Sequence, residues 1–64
     1  MKVKEIIRLL EQNGWRFERQ KGSHMIYIHP KRKGIVIVPN HGMNNDLKKG
    51  TESSIRKQAG LKFL

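Results

Sequence analysis

Sixty-four residues leave room for one domain, 1–64, with a limited core and a thin stability margin. Fourteen Lys and Arg against five Asp and Glu give a formal charge of +9, which argues for a polyanionic or acidic partner: nucleic acid or an acidic protein. The chain has no Cys, which excludes disulfides and thiolate metal sites and fits a cytosolic setting.

Nothing in the sequence predicts a membrane role. No apolar run approaches the roughly 20 residues needed to span a bilayer. No charged segment followed by an apolar one opens the chain, so secretion is not expected. Neither predicted helix carries enough basic residues on one face to lie on a lipid surface.

Val3, Ile6, Ile7 and Leu10 fall at helical spacing, and Asn13-Gly14 supplies a left-handed stop. This predicts a helix over about 2–13. Alternation in "WRFERQ" predicts a strand with Trp15 and Phe17 on its core side. "KGS" turns the chain, and "HMIYIH" is a second strand closed by Pro30. The letters Gly22-Ser23-His24-Met25 match a common tag remnant. Here they follow a helical pattern and run straight into an apolar strand, so they belong to the domain. "PKRKG" reads as a cationic turn, and Ile35 to Val38 as a third strand stopped by Pro39. Short connections make these strands antiparallel neighbours.

"NHGMNNDLKKG" reads as a loop. Thr51 is the expected N-cap of a second helix, with Glu52 favourable at the positive end of the dipole. Ile55 and Ala59 share its inner face, and Gly60 ends it. Leu61, Phe63 and Leu64 form an apolar tail. The predicted class is α+β, in the order α-β-β-β-α: a three-stranded antiparallel sheet with two helices on one face. The other sheet face is left to solvent or to a partner.

The three histidines, His24, His29 and His41, lack the helical pairings common in zinc sites, so no metal or other cofactor is expected. A lone histidine can still act as a general base on RNA, which brings its own nucleophile in the 2′-hydroxyl. Cations would stabilise the charge gathering on the phosphate. Arg19 and Lys21 precede His24, and Lys31, Arg32 and Lys33 follow in the next turn. Gly22 would let a phosphate come close to the backbone. On these residues alone, the simpler reading of His24 is a strand-initial residue that pairs with a turn. His29 reads as a turn residue, and His41 as the better second participant, an acid for the leaving 5′-oxygen. Trp15, Phe17 and Tyr27 read as packing residues. Lys48 and Lys49 stand before the second helix, where backbone N–H groups attract phosphate.

"LLEQNGW", "KGSHMIY", "VPNH" and "KKGTESSIRKQAGL" together span nearly the whole chain. In that order they resemble the HicA toxins of HicAB toxin–antitoxin systems. The resemblance implies a fold like the double-stranded RNA-binding domain and a ribosome-independent endoribonuclease activity on mRNA. It implies that His24, in the family's Gly-Ser-His motif, is the essential histidine, with Gly22 and Ser23 in the same motif. It also implies a HicB-like antitoxin that blocks the active region. Two features depart from the family's pattern: Met25 stands where many relatives have a second histidine, and the loop from His41 to Leu47 is long.

The functional expectation is therefore a metal-independent endoribonuclease toxin of the cytoplasm. His24 is its general base, and Lys21, Gly22, Ser23, Lys48 and Lys49 contact substrate. The alternatives are a non-catalytic RNA-binding module, and an adaptor working through the open sheet face.

Overall fold

The computed structural model describes residues 1–61. Phe63 and Leu64 of the expected apolar tail lie outside the described residues; Leu61 packs at the margin of the core. The elements are α1 (Val3–Gln12), β1 (Arg16–Lys21), β2 (His24–His29), β3 (Arg32–Pro39) and α2 (Lys49–Ala59). The strands form one antiparallel sheet in the order β1-β2-β3. This is the expected α-β-β-β-α order of a fold like the double-stranded RNA-binding domain.

Helix α1 exists because its apolar residues recur at one face. Val3, Ile6, Ile7 and Leu10 are all buried. It ends where expected. Gly14 takes φ +90°, and the Trp15 N–H donates to the Leu10 carbonyl at 3.0 Å, satisfying an end group the helix itself cannot. Helix α2 ends in the same way, with Gly60 at φ +70° and the Leu61 N–H on the Arg56 carbonyl at 2.8 Å. Ile55 and Ala59 are its buried residues. Trp15, Tyr27, Val36 and Val38 complete the core from the sheet side.

Four sequence expectations change. Phe17 is 50 % exposed rather than core. It meets Tyr27 edge-on, with ring centroids 5.8 Å apart, but β1 is an edge strand and the helices pack over β3 at the other edge. Strand β3 begins at Arg32, three residues earlier than expected. Arg32 pairs with His29 across a turn of only Pro30 and Lys31, and the extra residues around Gly34 (φ +85°) are absorbed as an irregularity in the register. Helix α2 begins at Lys49 with Lys48 as its N-cap, so Thr51 lies inside the first turn and is not the cap. The first helical bond, Glu52 N–H to the Lys48 carbonyl at 2.9 Å, fixes that start. Finally, His29 is a tethered strand end rather than a turn residue. Its ring packs edge-on against Trp15 (5.1 Å) and bonds Asn13 and Lys31.

Candidate active site

His24 opens β2. Lys21 of β1 lies opposite it on one side and Pro39 of β3 on the other. The hairpin that delivers it is two residues long. Gly22 holds φ +60° at the first central position, where a type II′ turn requires a positive φ. A Cβ on Gly22 would meet nothing within 4 Å, so the space above this turn is open. The Gln20 side-chain amide donates to the Gly22 carbonyl at 2.9 Å and steadies the turn. The Ser23 carbonyl accepts from the Asn40 N–H at 2.7 Å, which carries the β2–β3 ladder one step past the strands. The whole Gly-Ser-His motif is thus held by its backbone. The His24 side chain is exposed, and among the described residues no group hydrogen-bonds its ring.

Pro39 joins this site to a cleft of about 340 Å³. The cleft has an apolar floor, Val3 and Leu47, and a polar rim that includes His41, Asp46, Lys48 and Thr51. His41 therefore stands on a wall that begins at the cross-strand neighbour of His24.

The loop between β3 and α2 was assigned no structural role from sequence, and it has one. Asn40 accepts the Gly42 N–H at its Oδ1 (3.0 Å), and the Asn45 amide donates to the His41 carbonyl (2.8 Å). The loop then offers its carbonyls to α1. Val3 N–H donates to the Asn45 carbonyl at 2.9 Å and Lys4 N–H to the Met43 carbonyl at 3.0 Å. These are first-turn donors that no side chain caps. The run of Asn residues was the available signal, since Asn side chains commonly bond nearby backbone. What the loop would bond to could be known only once α1 lay beside it.

Lys48 and Lys49 straddle the α2 N-terminus. Two cations there oppose the helix dipole, at a cost of about 0.3–1 kcal/mol each when no anion is near. Glu52 in the same turn does little to offset them. Its carboxylate is engaged by the Met1 amine (3.4 Å) and by Arg56 (3.4 Å).

The remaining cluster, Lys31, Arg32 and Lys33, lies elsewhere. Strand β2 carries the chain from His24 to its far end before the turn at Lys31, roughly 17 Å at about 3.3 Å per residue. Arg32 has a structural place: its guanidinium lies where a Cβ on Gly60 would fall, against the C-terminus of α2. A cation suits that end of a helix dipole. The fold brings Lys21, the Gly22-Ser23 turn and His24 together. Lys48 reaches this end through Pro39 and the cleft that both line, and Lys31 to Lys33 do not.

Among the described residues, no group of three His, Cys, Asp or Glu stands ready to hold a metal ion. No helix among them is long and apolar enough to cross a membrane. No curated protein matches the chain. The family described as HicA toxin of bacterial toxin–antitoxin matches residues 3–61. With its hairpin-borne Gly-Ser-His motif and its α-β-β-β-α order, the chain belongs to the HicA toxin family.

Proposed function

We propose that this protein is a cytoplasmic endoribonuclease toxin that cleaves mRNA without a metal ion, with His24 as the general base, and that a HicB-like antitoxin neutralises it. The observation carrying this reading is the state of His24. It is an exposed imidazole on a rigid hairpin end, with no internal partner among the described residues, beside a cation and an open glycine turn.

The chemistry follows from those groups. A ring nitrogen of His24 takes the proton from a ribose 2′-hydroxyl. The 2′-oxygen attacks the adjacent phosphorus, and the bond from phosphorus to the 5′-oxygen breaks. The 5′-oxygen leaves with a proton from a general acid, for which His41 on the cleft wall is the candidate. A 2′,3′-cyclic phosphate and a 5′-hydroxyl result. Lys21 lies opposite His24, where it would meet the charge that gathers on the phosphate. Gly22 and Ser23 let the RNA backbone come close. Lys48 and Lys49 hold the strand further along, each by a phosphate contact that also relieves the strain of two cations at a helix N-terminus.

The test is incubation of the purified protein with RNA in EDTA, followed by analysis of the ends. Cleavage leaving cyclic phosphate or 3′-phosphate is expected. Activity that vanishes with EDTA and returns with a divalent ion would overturn the metal-free mechanism. A folded protein that binds RNA tightly and never cuts it would instead be a binding module.

A further inference from the structure

The outer face of the sheet, away from the helices, is apolar. Along β3, Val36 and Val38 are buried under the helices, while Ile35 and Ile37 between them are 47 % and 38 % exposed. On β2, Ile26 pairs with Ile37 on the outer side, and Ile28 lies two residues on from Ile26 on the same side. Ile26 itself is buried at 6 %, while Ile28 is 37 % exposed, and among the described residues no element covers Ile28, Ile35 and Ile37.

An antiparallel sheet with one wet face normally alternates apolar and polar residues. Ile35-Val36-Ile37-Val38 does not. It has the composition of a strand buried on both sides. Contiguous exposed apolar surface with a polar rim marks a contact site for another protein. Here β1 supplies the rim, with Arg16 opposite Ile28, Arg19 opposite Ile26 and Lys21 opposite His24. Glu18 pairs with Arg19, which leaves Arg16 and Lys21 as the rim's uncompensated charge.

We propose that this face docks an acidic protein. The partner seats an apolar strip on Ile28, Ile35 and Ile37, sets carboxylates against Arg16 and Lys21, and in doing so covers His24. The partner's identity as the antitoxin rests on the toxin reading above; the surface itself does not. Two other occupants fit less well. A second copy would bring its own +9 charge against this one, with like charges meeting at the rim. Single-stranded RNA wants cations for phosphates and aromatic rings for bases. Trp15 and Tyr27 belong to the core under the helices, and Phe17, paired with Tyr27, shares that side. The outer face offers isoleucine instead.

The experiment measures the affinity of the purified cognate antitoxin for the full chain carrying I35K and I37K. Both positions are exposed, so the double variant should keep its far-UV spectrum and cooperative melting; I35T serves as a milder second variant. The Kd should rise by about thirty-fold or more for the double variant, the effect of losing a central contact cluster. RNA cleavage should be unchanged, and antitoxin at levels that silence the wild type should no longer suppress it. Unchanged antitoxin affinity in the folded variants would overturn the proposal. So would a loss of RNA affinity in its place, which would make this face the RNA path. Self-association of the wild type that the substitutions abolish would also overturn it, in favour of a homodimer. If the wild type cleaves no RNA yet binds the antitoxin through these isoleucines, the proposed function falls and the docking surface stands.

Discussion

One strand of six residues carries a histidine at each end, and the two are placed for opposite purposes. His29 is tied on every side. Its Nδ1 accepts the Lys31 N–H at 3.0 Å, which leaves Nε2 as the protonated nitrogen that donates to the Asn13 carbonyl at 3.0 Å. Its ring packs on Trp15, and it crowds Gly14, where a Cβ would come within 2.7 Å of Nε2. His29 therefore fastens the end of α1 to the β2–β3 hairpin. His24 has none of this. Its backbone is pinned through the neighbouring Ser23 carbonyl, and its ring is left to solvent. The same side chain becomes a structural fastener where the fold surrounds its nitrogens, and an unengaged ring where the fold holds only the main chain.

The sharpest way to break this comparison is to remove each ring in turn. His24→Ala should lower the RNA cleavage rate by about 10²- to 10⁴-fold, the usual loss of a general base, with thermal unfolding unchanged. Full activity from folded His24→Ala would end its assignment as the base. His29→Ala should do the reverse. It loses two hydrogen bonds at about 1 kcal/mol each and an aromatic contact of about 0.5–1.5 kcal/mol. The melting temperature should drop by roughly 10–28 °C in a domain of this size. Cleavage per folded molecule should persist. A His29→Ala protein that melts normally would show that the fastening contributes nothing.

A smaller effect should separate the two ends of the sheet as RNA-binding regions. In the His24→Ala background, replacing Lys48 and Lys49 with Ala should flatten the salt dependence of RNA binding by about 0.7 in log–log slope per lost phosphate contact. All RNA sequences should weaken alike. Replacing Lys31 and Lys33 at the far hairpin should change the slope less. The opposite ranking, measured by titration at several salt concentrations, would move the RNA path to the Lys31 end.

The smallest effect concerns α1, whose start the loop before α2 helps to cap. The Lys2 backbone N–H donates to the Glu5 carboxylate at 2.7 Å. This bond, first among the causes, holds the Glu5 pKa below its ordinary 4.5. The stabilisation is therefore present above about pH 4.5 and is lost as pH falls through the lower, folded-state value. Glu5→Gln should make melting temperature depend less on pH between about pH 4.5 and that lower value. Parallel acid melting curves for the two proteins would show that Glu5 takes no part.

Much of this was legible in the sequence, because the signals were local. The spacing of Val3, Ile6, Ile7 and Leu10, the glycine stops at Gly14 and Gly60, and the short turns joining three apolar runs are each settled within a few residues. Helical period, positive φ and hairpin closure act over that range, so α1, the antiparallel order and the end of α2 could be read directly. The Gly-Ser-His motif was legible for the same reason: turn and histidine are neighbours in the chain.

What failed or stayed open depended on which parts of the chain became neighbours in space. Phe17 has the same alternation as a core residue, but only the packing of the helices over β3 decided that it would be half-exposed. The N-cap of α2 moved from Thr51 to Lys48, with the loop from Asn40 to Lys48 drawn against α1, whose first N–H groups bond its carbonyls. Lys31 to Lys33 and Lys48 to Lys49 are both basic runs in sequence. Strand direction put the first cluster at the far end from His24, and the cleft that runs from Pro39 put Lys48 of the second at the near end. Residue type and spacing determined which groups could bind phosphate or take a proton. The tertiary structure alone decided which of the two β2 histidines was left free, because a ring nitrogen is engaged or released by partners far away in the chain.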